Sequence, residues 1–486
     1  MTSRRTFVKI AVSGAAVGAA AAAFPLRNLF SGPGNAAAAG APAASVPFSQ
    51  PMPIPPVLRP ARSTLDTDFY ELRMRYADVE IVPGVRSRVR TYGGVLPGPT
   101  VRAHRGRKVV VRQHNDLDLD AAVHLHGGHV APEHDGHPMD VIAPGANREY
   151  HYDNDQRAAS LWYHDHAHHS ESENVYNGLH GSYLISDPLE AALGLPGGQY
   201  DVPLQIRDAR VEADGKLTYT RAEQRPHMLV NGKERPYFRV EARRYRLRLF
   251  NVSIDRPMLL RLSDGAEFTQ IATDGGLLAE PVRLSEILMS AGERAEVVID
   301  FGRYRAGSSV ALRNAMALPG ENQDFLRFDV VPAAGRDTSA VPPKLAELEP
   351  LPPATAERSF VLDMNKEQGT FLINGLLYDP HRVDVRTELG ATEVWSVTNP
   401  NGHGEHPNFL GTHNFHTHLT HFRVLDRNGA PPAPYEQGWK DTVEIGPGET
   451  VRIAMSWGPH PGRYVYHCHR LPHSANAQMG TIEIVG

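Results

Sequence analysis

The chain has 486 residues, 41% of them hydrophobic and 22% charged, with a net charge of -5. That composition excludes a mainly disordered chain, and the acidic balance argues against general binding to nucleic acid or to an anionic membrane. A single Cys excludes an internal disulfide and any four-Cys zinc or iron–sulfur site, whereas 25 His point towards metal.

The first segment reads as an address. Arg4-Arg5 precedes a mildly apolar, Ala-rich run from Ile10 to Phe24, and small residues follow as far as Ala44. A paired Arg before such a run resembles a twin-arginine export signal, with the twin-arginine translocation machinery as the implied partner. The run is shorter than the ~20 residues a membrane span needs, so no stable membrane insertion is expected. Residues 1–45 are assigned to the signal and a flexible N-terminus, with the mature chain starting between Ala36 and Pro47. The expected location is periplasmic, extracellular or at the cell envelope.

Beyond the signal, short alternating runs are separated by Gly and Pro turns. Arg244-Tyr245-Arg246-Leu247-Arg248-Leu249 places Tyr and Leu on one face and Arg on the other. Period two with one apolar face predicts antiparallel strands, and long helical periodicity is scarce. The fold class is mostly β, built from sandwiches.

Three landmarks repeat in the same order. A strand ends at Asn115, at Asn251 and at Asn399; a small-residue turn follows at Pro144-Gly145, Ala291-Gly292 and Pro447-Gly448. A further strand then begins near Leu161, Ser309 and Tyr464. The repeats predict β-sandwich domains at 46–187, 200–331 and 358–486, with a Pro-rich linker at 332–357. Only the first and third copies carry His in the last landmark, so the middle domain is expected to be a spacer.

Four His clusters stand out: His124-Leu125-His126, His164-Asp165-His166, His413 with His416 and His418, and His467-Cys468-His469 with His473. Residues i and i+2 of a strand share a face, so each His-x-His pair offers two imidazoles to one site. At His467-Cys468-His469 the Cys points one way and both His the other, linking a thiolate centre to a His cluster within a few bonds. A His/His/Cys set is the blue-copper electron-transfer arrangement, and His413, Cys468 and His473 would supply it. A zinc hydrolase needs only three or four ligands with an acid or base.

The order and spacing of these clusters resemble the copper motifs of the multicopper oxidases. Leu96-Pro97-Gly98-Pro99-Thr100, Leu161-Trp162-Tyr163-His164, Gly438-Trp439-Lys440-Asp441-Thr442 and Gly462-Arg463-Tyr464-Val465 resemble the branch of spore-coat laccase, bilirubin oxidase and phenoxazinone synthase. The resemblance implies three cupredoxin-like Greek-key sandwiches and four coppers per chain. It places type 1 copper on His413, Cys468 and His473, and type 2 copper on His124 and His416. His126, His164, His166, His418, His467 and His469 would hold the type 3 pair. The implied reaction oxidises a small aromatic reductant, a phenol or aromatic amine, one electron at a time through His473, and reduces dioxygen to water.

The sequence also departs from the family pattern. The axial Met of type 1 copper usually lies five residues after the last His; that position is Gln478, and Met479 lies one further on. The reading favours Met479, with Gln478 as the alternative donor. The acid that relatives carry after the last His is replaced by Ser474, while Asp135 matches the family's other acid, near type 2 copper. Asp135 is therefore the expected proton relay, with His168, Glu171 and Glu173 in reserve. Further His at 129, 134, 137, 168, 169, 403, 406 and 421 crowd the clusters. The rival functions are a metallo-oxidase for Cu(I) or Mn(II), which no Met-rich insert supports, and a copper-free envelope scaffold.

Overall fold

A computed structural model describes residues 40–318, 320–365, 368–401 and 411–486. The expected export signal, with Arg4 and Arg5, and the histidines His403 and His406 lie outside the described residues. Among the described residues the chain is mostly strand, and its α-helices are short: Glu171–Tyr176, Pro188–Ala191 and Leu471–Ser474. No described helix is long and apolar enough to cross a membrane.

Six sheets pair into three sandwiches. In the first, the sheet of Arg62–Ser63, Thr67–Val82, Lys108–Asn115, Asn147–Tyr152 and Val85–Tyr92 faces the sheet of Gly98–His104, His180–Ser186, Ala159–Asp165 and Val123–His126. Tyr70, Val109 and Tyr150 from one sheet meet Val123, Leu161 and Tyr183 from the other in a common core. A second core, around Leu204, Leu247, Val297, Leu312 and Phe328, fills the sandwich built from the strands between Asp201 and Val331. The third is centred on Phe360, Trp395, Phe415, Ile453 and Tyr464.

Most neighbouring strands pair antiparallel, as expected, but each sandwich also contains parallel pairs. Thr67–Val82 runs parallel to Lys108–Asn115, Asp201–Ala209 to Arg244–Asn251, and Ala356–Asn365 to Thr392–Thr398. Period-two alternation reports one buried face and is blind to the direction of the neighbouring strand. The repeated Asn has a structural cause. Asn115, Asn251 and Asn399 each accept a hydrogen bond from the backbone N–H two residues on, at 3.1 Å in every case. Each amide also donates across the loop, to the carbonyls of Ile142, Met289 and Ile445 respectively. Asn satisfies backbone groups that the end of a strand would leave unpaired.

Two connecting segments dock on the second sandwich. The chain from residue 46, which the repeats assign to the first domain, is strapped to the second sandwich. The N–H groups of Phe48 and Met52 donate to the carbonyls of Arg235 and Tyr237, each at 2.7 Å, and Met52 enters the second core. The Pro-rich linker is likewise docked: Leu345 packs on Ile271, Leu278 and Val298. Two of the three arginines on the Arg face of Arg244–Asn251 are shut off from solvent. Arg246 and Arg248 are buried against Glu190, Asp201 and Glu296, and Ser160 of the first sandwich donates to Glu296.

Candidate metal centres

The thiol of Cys468 lies just past the end of strand Gly462–His467, beside the first residue of strand His413–Thr417 and the short helix Leu471–Ser474 that carries His473. The Sγ is 3.6 Å from Nδ1 of His413 and 3.5 Å from Nδ1 of His473, and those two nitrogens are 3.2 Å apart. A triangle of that size surrounds a point roughly 2 Å from each corner, a metal–ligand distance. Burial pushes the Cys468 thiol up to about 12 and the His413 imidazole down to about 3. Burial, with Arg470 and His413, also carries His473 well below its ordinary value. The two rings are therefore neutral donors, and the thiol yields its proton only to a cation that replaces it. Phe371 stacks on His473, with ring centroids 3.8 Å apart, and His473 is the half-buried member of the set.

On the other side of the Cys468 strand, eight imidazoles converge in three sets: His124 with His126 and His416; His126 with His164 and His469; and His166 with His418 and His467. Strand pairing brings them together. His124 is the cross-strand partner of His164, and His416 of His467. The first and third sandwiches then meet face to face, stacking His124 on His418 and His126 on His416 at centroid distances of 3.7 and 3.8 Å.

Every ring but His469 has one nitrogen within 3.0 Å of an oxygen. His124 Nδ1 donates to the carbonyl of Asp135 at 2.6 Å, His164 Nδ1 to that of Asp165 at 2.9 Å, and His416 Nδ1 to that of Asp441 at 2.7 Å. His467 Nδ1 donates to the carbonyl of Cys468 at 3.0 Å, and His418 Nδ1 to the Asp135 carboxylate at 2.6 Å. His126 Nε2 donates to Asp441 at 2.9 Å, and His166 Nδ1 lies 2.6 Å from the carboxylate of Glu171. The opposite nitrogens of His124, His126, His164, His416 and His418 are buried with no protein partner. Burial also depresses His126, His164, His416, His418 and His469 well below the ordinary value, keeping them unprotonated. One pinned and one bare nitrogen, as in His124, His126, His164, His416 and His418, is the arrangement of a metal-ligating His, and an all-imidazole set suits copper.

Residues 73–190 and 350–485 match the multicopper oxidase family. A laccase of Bacillus subtilis is 35% identical over 517 residues, which cover 90% of this chain and 98% of that protein. A bilirubin oxidase of Albifimbria verrucaria is 35% identical, covering 89% of this chain and 80% of its own. The crystal structure of a laccase from Pediococcus acidilactici superposes with a TM-score of 0.83 at 30% identity, covering 92% of this chain and 96% of that one.

The chain belongs to the multicopper oxidase family. Copper is thus the metal its family implies, and the residues present fit it. Asp135 is buried and in contact with both His124 and His418.

Met479 corrects the sequence reading of this multicopper oxidase. It pairs across the sheet with His467 and packs on Val465 and Tyr378, so its thioether lies on the face away from the Cys468 thiol. Gln478 takes the thiol's side. The reserve acids also separate: Glu171 reaches the His cluster, whereas Glu173 pairs with Arg90 near the surface. Of the surplus His, His129 lies against His421 and His134 stacks on His151. Among the described residues, none of the surplus His joins a set of three metal-ligating groups.

Sequence reasoning missed the contribution of the middle sandwich of this oxidase. It supplies none of those sets among the described residues. It does supply Arg294, fully buried, which donates from Nη1 and Nη2 to the Asp441 carboxylate at 2.7 and 2.6 Å. Burial raises Asp441, but Arg294 and the neighbouring His416 and His421 hold it far below the carboxylate range. Gly292, at φ +91°, leaves room for His469; a Cβ there would stand 2.8 Å from its Nδ1.

Proposed function

We propose that the enzyme is a laccase-type oxidase that takes single electrons from a phenol or aromatic amine and passes them to dioxygen, forming water. His413, Cys468 and His473 would hold type 1 copper, and His124 with His416 type 2 copper. His126, His164 and His469 would hold one type 3 copper, and His166, His418 and His467 the other. When bound, these four coppers supply one-electron acceptance at the first site and four-electron delivery to oxygen at the other three.

The observation that carries the reading is the placement of Cys468 between His467 and His469, each of which belongs to a different set of three. Electrons accepted beside the thiol have a short covalent path to both sets. His473 offers its half-buried edge to the reductant. The carbonyls of Asp135, Asp165, Asp441 and Cys468 fix the tautomers of His124, His164, His416 and His467, so the bare nitrogens face inward. Asp135 and Glu171 place carboxylates against His418 and His166, where protons bound for oxygen must pass.

Export by the twin-arginine route belongs to the same reading, supported by Arg4-Arg5 and the apolar run behind it. The test of function is a copper count and an absorption spectrum of purified protein, with oxygen uptake measured on 2,6-dimethoxyphenol, Cu(I) and Mn(II). Four coppers, a blue thiolate-to-copper band and uptake with the phenol are expected. Uptake with the metal ions alone would make the enzyme a metallo-oxidase, and a colourless, copper-free protein would overturn the reading.

A further inference from the structure

The side chain of Gln478 has no role in the centres described so far, yet it is fully buried beside one of them. Its backbone is tied to the same centre, since Gln478 N–H donates to the carbonyl of His473 at 3.1 Å and Cys468 N–H donates to that of Gln478 at 3.2 Å. Its amide nitrogen donates to the carbonyls of Leu372 and Asp363, at 3.1 and 3.3 Å. These bonds fix the amide plane and leave Oε1 buried without an aligned donor. That oxygen lies against the rings of His413 and His473. A buried amide oxygen without a donor is rare in a folded chain, and its presence beside a metal-ligating set calls for a partner. Met479 cannot be that set's fourth donor, because its cross-strand pairing with His467 turns it to the opposite face.

We propose that Gln478 Oε1 is the axial donor to the metal held by His413, Cys468 and His473, and that it tunes this oxidase to electron-rich, easily oxidised reductants. This rests on the copper assignment above and deepens it. An amide oxygen is a harder donor than a thioether and stabilises Cu(II) over Cu(I). A lower type 1 potential follows, and with it loss of driving force towards phenols carrying electron-withdrawing groups.

The experiment is a spectroelectrochemical titration of type 1 copper, with EPR spectra, on the copper-loaded wild type, Gln478→Met, Gln478→Leu and Met479→Leu. Both Gln478 variants should shift the Cu(II)/Cu(I) equilibrium towards Cu(I) by at least tenfold, about 59 mV for one electron. Their EPR spectra should change, whereas Met479→Leu should leave potential and spectrum in place. Gln478→Met is close in size, so a folded, blue variant is available even if Gln478→Leu is poorly made. An unshifted potential in blue Gln478→Met and Gln478→Leu protein would overturn the proposal, as would a shift confined to Met479→Leu. A wild type lacking the blue band would instead overturn the copper assignment, so the two failures are distinguishable.

Discussion

The carboxylate of Glu171 lies 2.6 Å from Nδ1 of His166 and accepts a hydrogen bond from the Ser474 hydroxyl through its other oxygen. Ser474 occupies the position where the resemblance leads one to expect an acid, and the fold brings a carboxylate there from the first sandwich. Burial raises the Glu171 carboxyl, but His166, His467 and Ser474 outweigh it and hold the group below its ordinary value.

Glu171→Gln is therefore expected to slow reoxidation of the reduced enzyme by oxygen about 10–100-fold, the usual range for a partner of a ligating His. Type 1 reduction should be unchanged in stopped-flow traces. Ser474→Glu, which a missing acid would favour, should not accelerate reoxidation, because it sets a second buried carboxylate against Glu171. Faster reoxidation in Ser474→Glu would refute this.

Asp135 holds two rings at once, His124 through its carbonyl and His418 through its carboxylate. Asp135→Asn keeps an oxygen for His418 but removes the negative charge. Copper content should stay at the wild-type value while oxygen reduction falls about 10–100-fold. Normal reoxidation kinetics would remove Asp135 from the proton route.

Cys468→Ser should abolish the blue band and reductant turnover, since Cys468 is the sole thiol in the sequence. The substitution is nearly isosteric, so thermal unfolding should still be cooperative and the His-bound coppers should remain. A blue Cys468→Ser protein would disprove the type 1 assignment.

Arg294 neutralises Asp441 and Asp274 in a site with no exposure to solvent. Arg294→Ala leaves the Asp441 carboxylate buried without its guanidinium, while Asp274 keeps Lys440 at 3.1 Å; breaking such a buried pair typically costs about 3–5 kcal/mol. Denaturant unfolding should register that loss, and copper content should drop because Asp441 no longer holds His126 and His416 in place. An unchanged unfolding midpoint would show that the network contributes nothing to stability.

The metal-free protein should be acid-sensitive. Burial holds His413 and His467 near 3, against 6.5 for a free imidazole. Between those values the unfolded chain binds more protons than the folded one, so stability is present above about 6.5 and is lost as pH falls towards 3. His166, raised by Glu171 despite its burial, runs the other way but is outnumbered. Copper should shift the acid transition downward, since it binds only the deprotonated rings. Calorimetry of metal-free and copper-loaded protein across that range checks both statements.

The histidines and Cys468 were legible in the sequence because period two alone decides which side chains share a face. The three sandwiches were legible because Asn115, Asn251 and Asn399 serve the same turn. What stayed hidden depends on contacts between residues far apart. Ser474 and Glu171 are separated by 303 positions, and His126 and Asp441 by 315. A lone Glu or Arg in a sequence resembles a solvated charge until the fold closes over it. The choice between Gln478 and Met479 needed the register with His467, which no local pattern encodes. The docking of the segments around Met52 and Leu345 onto the second sandwich was hidden because Pro and Ala carry little amphipathic signal.

The strap from Gly40 to Met52 has a consequence for biogenesis. Ala43 bonds to Val211 and Met52 to Tyr237, so the loop closed by this strap contains the whole first sandwich. On a ribosome these residues emerge early and wait until more than a third of the polypeptide has followed before their acceptors exist. The first sandwich is thus tethered at its upstream end only after the second has taken shape. Cleavage between Ala43 and Met52 during synthesis would leave two formed sandwiches without the clasp that spans them.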